Sequence, residues 1–322
     1  MKFRTEIVVN RSGFTIDHAR RGFLAGSCFS EHIADRLRAA KFPVESNPSG
    51  ILFNPASIAR MFRRLNEGRP YTESELTHAG GLWFSYDHHG AFSRASAEET
   101  LVAVNAALRE GVAALAGADY VVVTFGTAWV YRLTADGRTV ANCHKQPSAC
   151  FRRERLSAGE IEAEYGALLE GPLKGKQVLL TVSPVRHVKD GLEENSLSKA
   201  VLRTAAAALA EDFRDVYYFP SFEIMNDDLR DYRFYEEDMV HPSAQAVDYI
   251  WDKFAEFAMD PDTRALLPRL DKLDAAMRHR VMHAGSAAAA VFRECSLKLV
   301  EELQEALPGV DFSPEREYFR SL

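Results

Sequence analysis

Hydrophobic positions along this chain switch repeatedly between two periods. Short apolar runs mark strands buried on both faces: one ends at Gly26, and others fall at Asp119-Tyr-Val-Val-Val-Thr-Phe125, Gln177-Val-Leu-Leu-Thr-Val182 and Val216-Tyr-Tyr-Phe219. Helical spacing fills the intervals. It covers about 28–41 (Cys28, Ile33, Ala34, Leu37), 96–116, about 157–170, the Ala-rich stretch 195–213, and the residues after His241-Pro242. Another helix begins at Asn54-Pro55, with Asn as cap and Pro at the first helical position. Phe42-Pro-Val-Glu-Ser46 and Gly50-Ile-Leu-Phe53 read as extended, and Gly81–Tyr86 as an edge strand or hairpin. Val130-Tyr131 and Thr139–Asn142 flank Asp136-Gly137, a hairpin signal. Such alternation predicts an α/β fold, a three-layer α/β/α sandwich around a parallel sheet of about five strands.

The pattern changes after about residue 260. Residues 262–283 and 286–306 read as two amphipathic helices joined at Gly285, with Leu266, Leu270, Leu273 and Met277 on one face of the first. This divides the chain into a domain over 1–260 and a helical extension over 261–322. The extension either covers the domain, the simpler reading, or mediates self-association into a homo-oligomer.

Composition narrows the function classes. A hydrophobic content of 47% is that of a globular chain, and no apolar run reaches the ~20 residues of a membrane span. Glu6 interrupts the stretch Met1–Val8, so no export signal is read there. Cysteines 28, 143, 150 and 295 give no paired framework and read as thiols of a reducing cytoplasm. The net charge of −7 argues against nucleic acid as a partner. Arg152-Arg-Glu-Arg155 reads as solvated surface, with anionic-substrate steering open for Arg152 and Arg153. No Gly-x-Gly-x-x-Gly or Walker-type loop calls for a nucleotide cofactor, and Cys143, His144 and Cys150 match no familiar zinc spacing. The expectation is no cofactor and no metal.

The most informative segment is Phe23-Leu-Ala-Gly-Ser-Cys-Phe-Ser30, which places a hydroxyl where a strand turns into a helix. An acyl-transfer nucleophile needs exposure, anion stabilisation and a nearby base. At such a turn Ser27 would have an exposed Oγ and an N–H at the positive end of the helix dipole. A plain helix cap is the alternative. Far downstream, Asp238 and His241 stand three residues apart before Pro242, a spacing that lets a carboxylate hold one imidazole nitrogen and free the other. Cys28 is a second candidate nucleophile.

Gly26-Ser27-Cys28-Phe29-Ser30 resembles the signature for which GSCFA-domain proteins are named, with Ser30 where the name has Ala. Asn54-Pro55, Thr124–Trp129, Asn142–Lys145, Ser183–His187 and Asp238–His241 are similar too, so the resemblance spans roughly residues 20–260. It implies membership of the SGNH (GDSL-like) hydrolase superfamily, with Ser27 as nucleophile and Asp238 and His241 completing a triad. It also implies a serine esterase or acyltransferase acting on a small ester, such as an O-acetylated carbohydrate. The competing reading is a non-catalytic SGNH-like module that binds a glycan or protein.

One departure bears on mechanism. Gly126-Thr-Ala-Trp129 occupies the block where that superfamily carries an oxyanion-hole asparagine, and Ala128 has no side-chain donor. Thr127, Asn54, Asn142 or the Gly50 backbone are the substitute donors. The rule that function gathers at the carboxyl ends of parallel strands nominates Ser27, Asn54, Gly126, Thr127 and the 183–187 stretch with His187. Asn142 or His144 is a candidate pocket residue, on the reading that Cys143 and His144 point to opposite faces of a strand. His88-His89 reads as a solvated loop pair.

Overall fold

The computed structural model describes residues 4–11, 13–283 and 285–322; Met1–Phe3, the start of the stretch read for an export signal, lie outside it. Five strands form the central sheet: β1 (Gly22–Gly26), β2 (Val44–Ser46), β3 (Tyr120–Phe125), β4 (Gln177–Val182) and β5 (Val216–Phe219). All neighbours are parallel, in the order β5-β4-β3-β1-β2. This order reverses direction between β1 and β3, where ligands of open α/β sheets gather.

The alternation of side chains along each strand builds two cores. Leu24, Tyr120, Val122 and Leu179 point to one face, where they meet α1 (Cys28–Ala39) and a later helix, Ala244–Ala258. Phe23, Ala25, Val121, Val123, Val178 and Leu180 point to the other. There they meet α2 (Pro55–Glu67), α3 (Ala97–Gly117), α4 (Ala158–Glu170) and α5 (Leu192–Asp212). Helix α3 is apolar and long enough to cross a membrane by composition, yet its Val104, Leu108 and Leu115 sit in this second core. Burying both faces is the reason these strands read as continuous apolar runs.

The Ala244–Ala258 helix is α6, and three more follow: α7 (Pro261–Arg278), α8 (Ala287–Ala306) and α9 (Ser313–Ser321). Leu270, Leu273, Val300, Leu303, Phe312 and Phe319 are all buried in the same core as α1 and α6. The apolar face of the extension is thus spent on the domain itself. The first of these helices ends at Arg278, short of the expected 283, and α9 was not expected at all. With nine residues and few apolar positions, α9 carries little periodic signal; Phe312, which precedes it, and its own Phe319 anchor it.

Two small sheets lie outside the main one. Thr77–Ala79 pairs with Leu82–Phe84, the expected hairpin. Trp129–Leu133 pairs with Thr139–Val140 around Asp136-Gly137, and with an unexpected third strand, Phe151–Arg155. That strand reads Phe-Arg-Arg-Glu-Arg, so it lacks apolar alternation. It is held by Arg132 Nε donating to Glu154 at 2.7 Å and by Arg153, whose guanidinium lies 3.7 Å over the Trp129 ring. Gly50–Phe53 joins no ladder; it crosses the carboxyl edge of the sheet, where the Phe53 carbonyl accepts from Gly126 and Thr127 N–H at 2.8 and 2.9 Å.

Candidate active site

Strand β1 ends at Gly26, whose φ of 140° and approach to the Thr124 carbonyl leave no room for a Cβ. The chain then turns abruptly into α1, and Ser27 takes the N-cap position without forming a side-chain cap bond. Its hydroxyl is therefore not used as the plain alternative requires. It is also not exposed: Ser27 is fully buried, and Oγ has no hydrogen-bond partner among the described residues. The expected free N–H is absent as well, because Ser27 N–H donates to Thr124 O at 3.2 Å. A parallel ladder continues one residue beyond β1 and consumes the donor.

Asp238 and His241 do form a pair. Tyr235 bridges Pro242 and Met239 takes a left-handed φ of 57°, closing a tight loop. Within it Asp238 Oδ1 accepts from the Val240 and His241 N–H groups at 2.8 and 3.0 Å, while Oδ2 holds His241 Nδ1 at 2.7 Å. The bonds from the His241 and Val240 N–H groups and from the imidazole hold the Asp238 carboxyl down at about 2. Nε2 has no hydrogen-bond partner among the described residues. Arg186 fastens this loop to the stretch after β4: its N–H donates to Val240 O at 3.2 Å and its guanidinium lies 3.8 Å over Tyr235.

His187 lies between loop and sheet. Its ring meets Phe53 edge-on at 5.8 Å, and its Nε2 would sit 3.4 Å from a Cβ at Gly126. Burial, then Lys199, then His241 push its imidazole down to about 3, so it is neutral. Cys28 is half-buried, and burial raises its thiol; Lys199 counters this and Asp238 adds to it. A protonated thiol is a poor nucleophile. These mutual influences place the Ser27-Cys28 turn, His187 and the Asp238–His241 loop in one neighbourhood.

Among the donor candidates the structure separates two groups. Thr127 Oγ1 is 3.2 Å from Ser198 Oγ and accepts from Trp129 N–H at 3.1 Å, so its hydroxyl is occupied. Gly126 and Thr127 N–H serve Phe53 O, and Gly50 N–H serves Asn47 O at 2.7 Å. Asn54 caps α2 through Oδ1, which accepts from Ser57 N–H at 2.8 Å; its Nδ2 has no partner among the described residues. Ala128 is fully buried in the second core.

Asn142 and His144 lie elsewhere. They occupy a turn, with His144 at φ 47°, and not the strand expected of them. His144 Nε2 bonds Ser85 O at 3.0 Å and its ring stacks on Phe84 at 4.2 Å, while Asn142 Oδ1 caps the turn by accepting His144 N–H. His144 thus packs on the small apolar cluster of Phe84, Tyr86 and Val140. His88 is also corrected: it is buried against Tyr71 at 4.8 Å, and desolvation pushes its imidazole down to about 3. Arg153 is paired with Asp190 at 2.7 Å and Arg152 with Glu154.

The residue that sequence reading missed is Lys199. It is 1% exposed, and Nζ donates to Gly126 O and Ser183 O, each at 2.7 Å. It belongs to a polar comb on α5, one face of which addresses the loops at the carboxyl edge. Asn195 Oδ1 accepts His187 N–H at 2.9 Å and Ser198 Oγ accepts Ala128 N–H at 2.8 Å. The available signal was the spacing Asn195, Ser198, Lys199 within an otherwise Ala-rich helix.

The comparison with curated proteins gives no match. A second family model, GSCFA domain protein, C-terminal domain, matches residues 270–322 and so takes in the second half of α7 and all of α8 and α9. The GSCFA family model itself matches residues 21–254, from β1 through most of α6 with Ser27, Asp238 and His241 inside it, and the chain belongs to that family.

Proposed function

We propose that this protein is an SGNH-type serine esterase or acyltransferase, acting without cofactor on an acylated carbohydrate or another small ester. Ser27 Oγ attacks the acyl carbon, His241 Nε2 takes the serine proton and returns it to the leaving alcohol, and Asp238 orients the imidazole. The observation that carries this reading is the 2.7 Å Asp238–His241 pair, in which Nδ1 is engaged and Nε2 has no partner among the described residues. The five-stranded order and the strand–Gly–Ser–helix turn support it. The four cysteines, all free, favour a reducing cytoplasmic setting.

A non-catalytic module that binds a glycan or protein is the second reading, favoured by the closed Ser27 hydroxyl and by Ala128. A fluorophosphonate probe with peptide mapping separates the two. The enzyme reading expects covalent label on the peptide containing Ser27 and none in Ser27→Ala. A folded wild type that takes no label and turns over no p-nitrophenyl acetate hands the site to the binding reading.

A further inference from the structure

Lys199 poses a physical problem. An ammonium group taken fully out of water is expensive unless a counter-charge accompanies it. Here the polar partners of Nζ are two neutral carbonyls, and no carboxylate lies within ion-pair distance of it among the described residues. Two carbonyls also satisfy just two of the three N–H bonds of an ammonium. A glutamine amide could have supplied two donors at no charge cost.

Its position suggests what the charge answers. Gly26 is paired with Thr124, so Ser27 and Gly126 emerge from the ends of adjacent strands. Lys199 grips Gly126 O on that edge and Ser183 O on the next strand over. The titratable groups facing it are the Cys28 thiol from α1 and the His187 imidazole from the loop after β4; Phe222 adds a ring 5.8 Å away.

We propose that Lys199 is the electropositive element of this site, its ammonium answering negative charge that forms or binds at the Ser27 turn, in the role Ala128 cannot fill. The inference rests on the acyl-transfer reading. As the Oγ–C bond forms, the carbonyl electron pair moves onto oxygen and the serine proton passes to His241 Nε2. Lys199 transfers nothing and supplies the field, in a buried setting where such a field is strongest. Burial brings its amine down to about 7, so the charge is marginal in the free protein and gained when an anion is present.

Two measurements test this. In p-nitrophenyl acetate turnover, Lys199→Gln removes the charge while its amide still offers two N–H donors, and it should lower kcat by ~10²–10³ with KM little changed. Wild-type kcat/KM should decline as pH rises past about 7, and that decline should vanish in Lys199→Gln. A plain structural clamp predicts the reverse: Lys199→Gln near wild type in rate and pH profile, which overturns the proposal. The second measurement needs no activity. Ser27→Asp places a fixed carboxylate at the turn, and its loss of Tm should be much smaller with Lys199 present than in the Lys199→Gln background. Equal losses in both backgrounds, including failure to fold in both, count against Lys199. If the probe leaves Ser27 unlabelled while this coupling is present, the esterase reading falls and the anion site stands.

Discussion

The carboxyl edge of the sheet has a floor and a rim, and the two are built on opposite principles. The rim, Asp238 and His241, is half exposed and held by bonds within its own short loop. The floor, with Ser27, Gly126, Thr127, Ser183 and Lys199, is almost wholly buried, and its bonds run between distant parts of the chain. A local loop can present a correctly oriented base whatever the floor does. The floor depends on three strands and α5 together. The comparison teaches that the imidazole is held in place by its own loop, whereas the Ser27 hydroxyl is closed off and the candidate donors around it are largely spent on structure.

The sharpest way to break the comparison is to remove the floor's one unused hydroxyl. Ser27→Ala should reduce ester turnover by about 10⁵-fold or to background. Because Oγ has no hydrogen-bond partner among the described residues, the substitution should leave Tm unchanged or slightly raised. Turnover that survives in the folded variant removes Ser27 as nucleophile, and loss confined to Cys28→Ala moves the role one residue along.

At the rim, Asp238→Asn should be the next largest effect, about 10⁴-fold in kcat. The amide oxygen can still accept from the Val240 and His241 N–H groups, so the loop keeps its shape. The amide nitrogen, however, faces Nδ1 as a donor and imposes the tautomer that protonates Nε2. With its carboxyl at about 2, Asp238 is ionised throughout the working range and should add no acid limb of its own to the rate profile. A cost below tenfold would assign the orienting role to another group.

Donor variants sharpen the contrast further. Asn54→Ser retains an N-cap oxygen for Ser57 N–H and removes the unpartnered Nδ2, so kcat should decrease by ~10² with Tm nearly constant. Thr127→Val should behave the opposite way. Its hydroxyl bonds Ser198 and Trp129, so stability should drop by about 1–3 kcal/mol while kcat is little affected. If the two variants exchange these behaviours, the donor is Thr127.

The sequence made the rim and the sheet legible because their signals are local. Apolar runs flanked by helical periods specify strands buried on two faces, and Asp-x-x-His before Pro specifies a turn that closes on itself. The floor was not legible for a related reason. Whether Ser27 N–H is free depends on Thr124, and whether Thr127 Oγ1 is free depends on Ser198, about a hundred and seventy residues apart at the extremes. Lys199 drew no reading from the sequence, because its burial depends on Gly126 and Ser183, which the fold places beside it. Asn142 and His144 were misplaced because Asn142–Lys145 has no apolar alternation to distinguish strand from turn. His88, beside Gly90, had the composition of a loop tip, but packing by Tyr71 and Phe92 buried it.

That burial gives the smallest effect, and it sharpens the comparison by separating floor chemistry from ordinary packing. His187 at the floor and His88 under the hairpin are both held neutral down to about 3. The unfolded chain takes up a proton on each ring near pH ~6.5. Between those limits the unfolded state binds more protons, so stability is complete above about pH 6.5 and is lost as pH falls towards 3. Each ring should contribute on the order of 1 kcal/mol per pH unit within that window. His88 packs among Met61, Leu65, Tyr71 and Leu108, with Arg64 the charged group beside it and Nδ1 unpartnered among the described residues, so His88→Phe should be tolerated at pH 7. Urea unfolding at pH 7 and pH 5 should then show a shallower acid loss in His88→Phe than in wild type, with ester turnover unaffected. An unchanged acid slope would mean that His88 becomes protonated in the folded protein. A change in turnover would mean that the hairpin cluster reaches the floor after all.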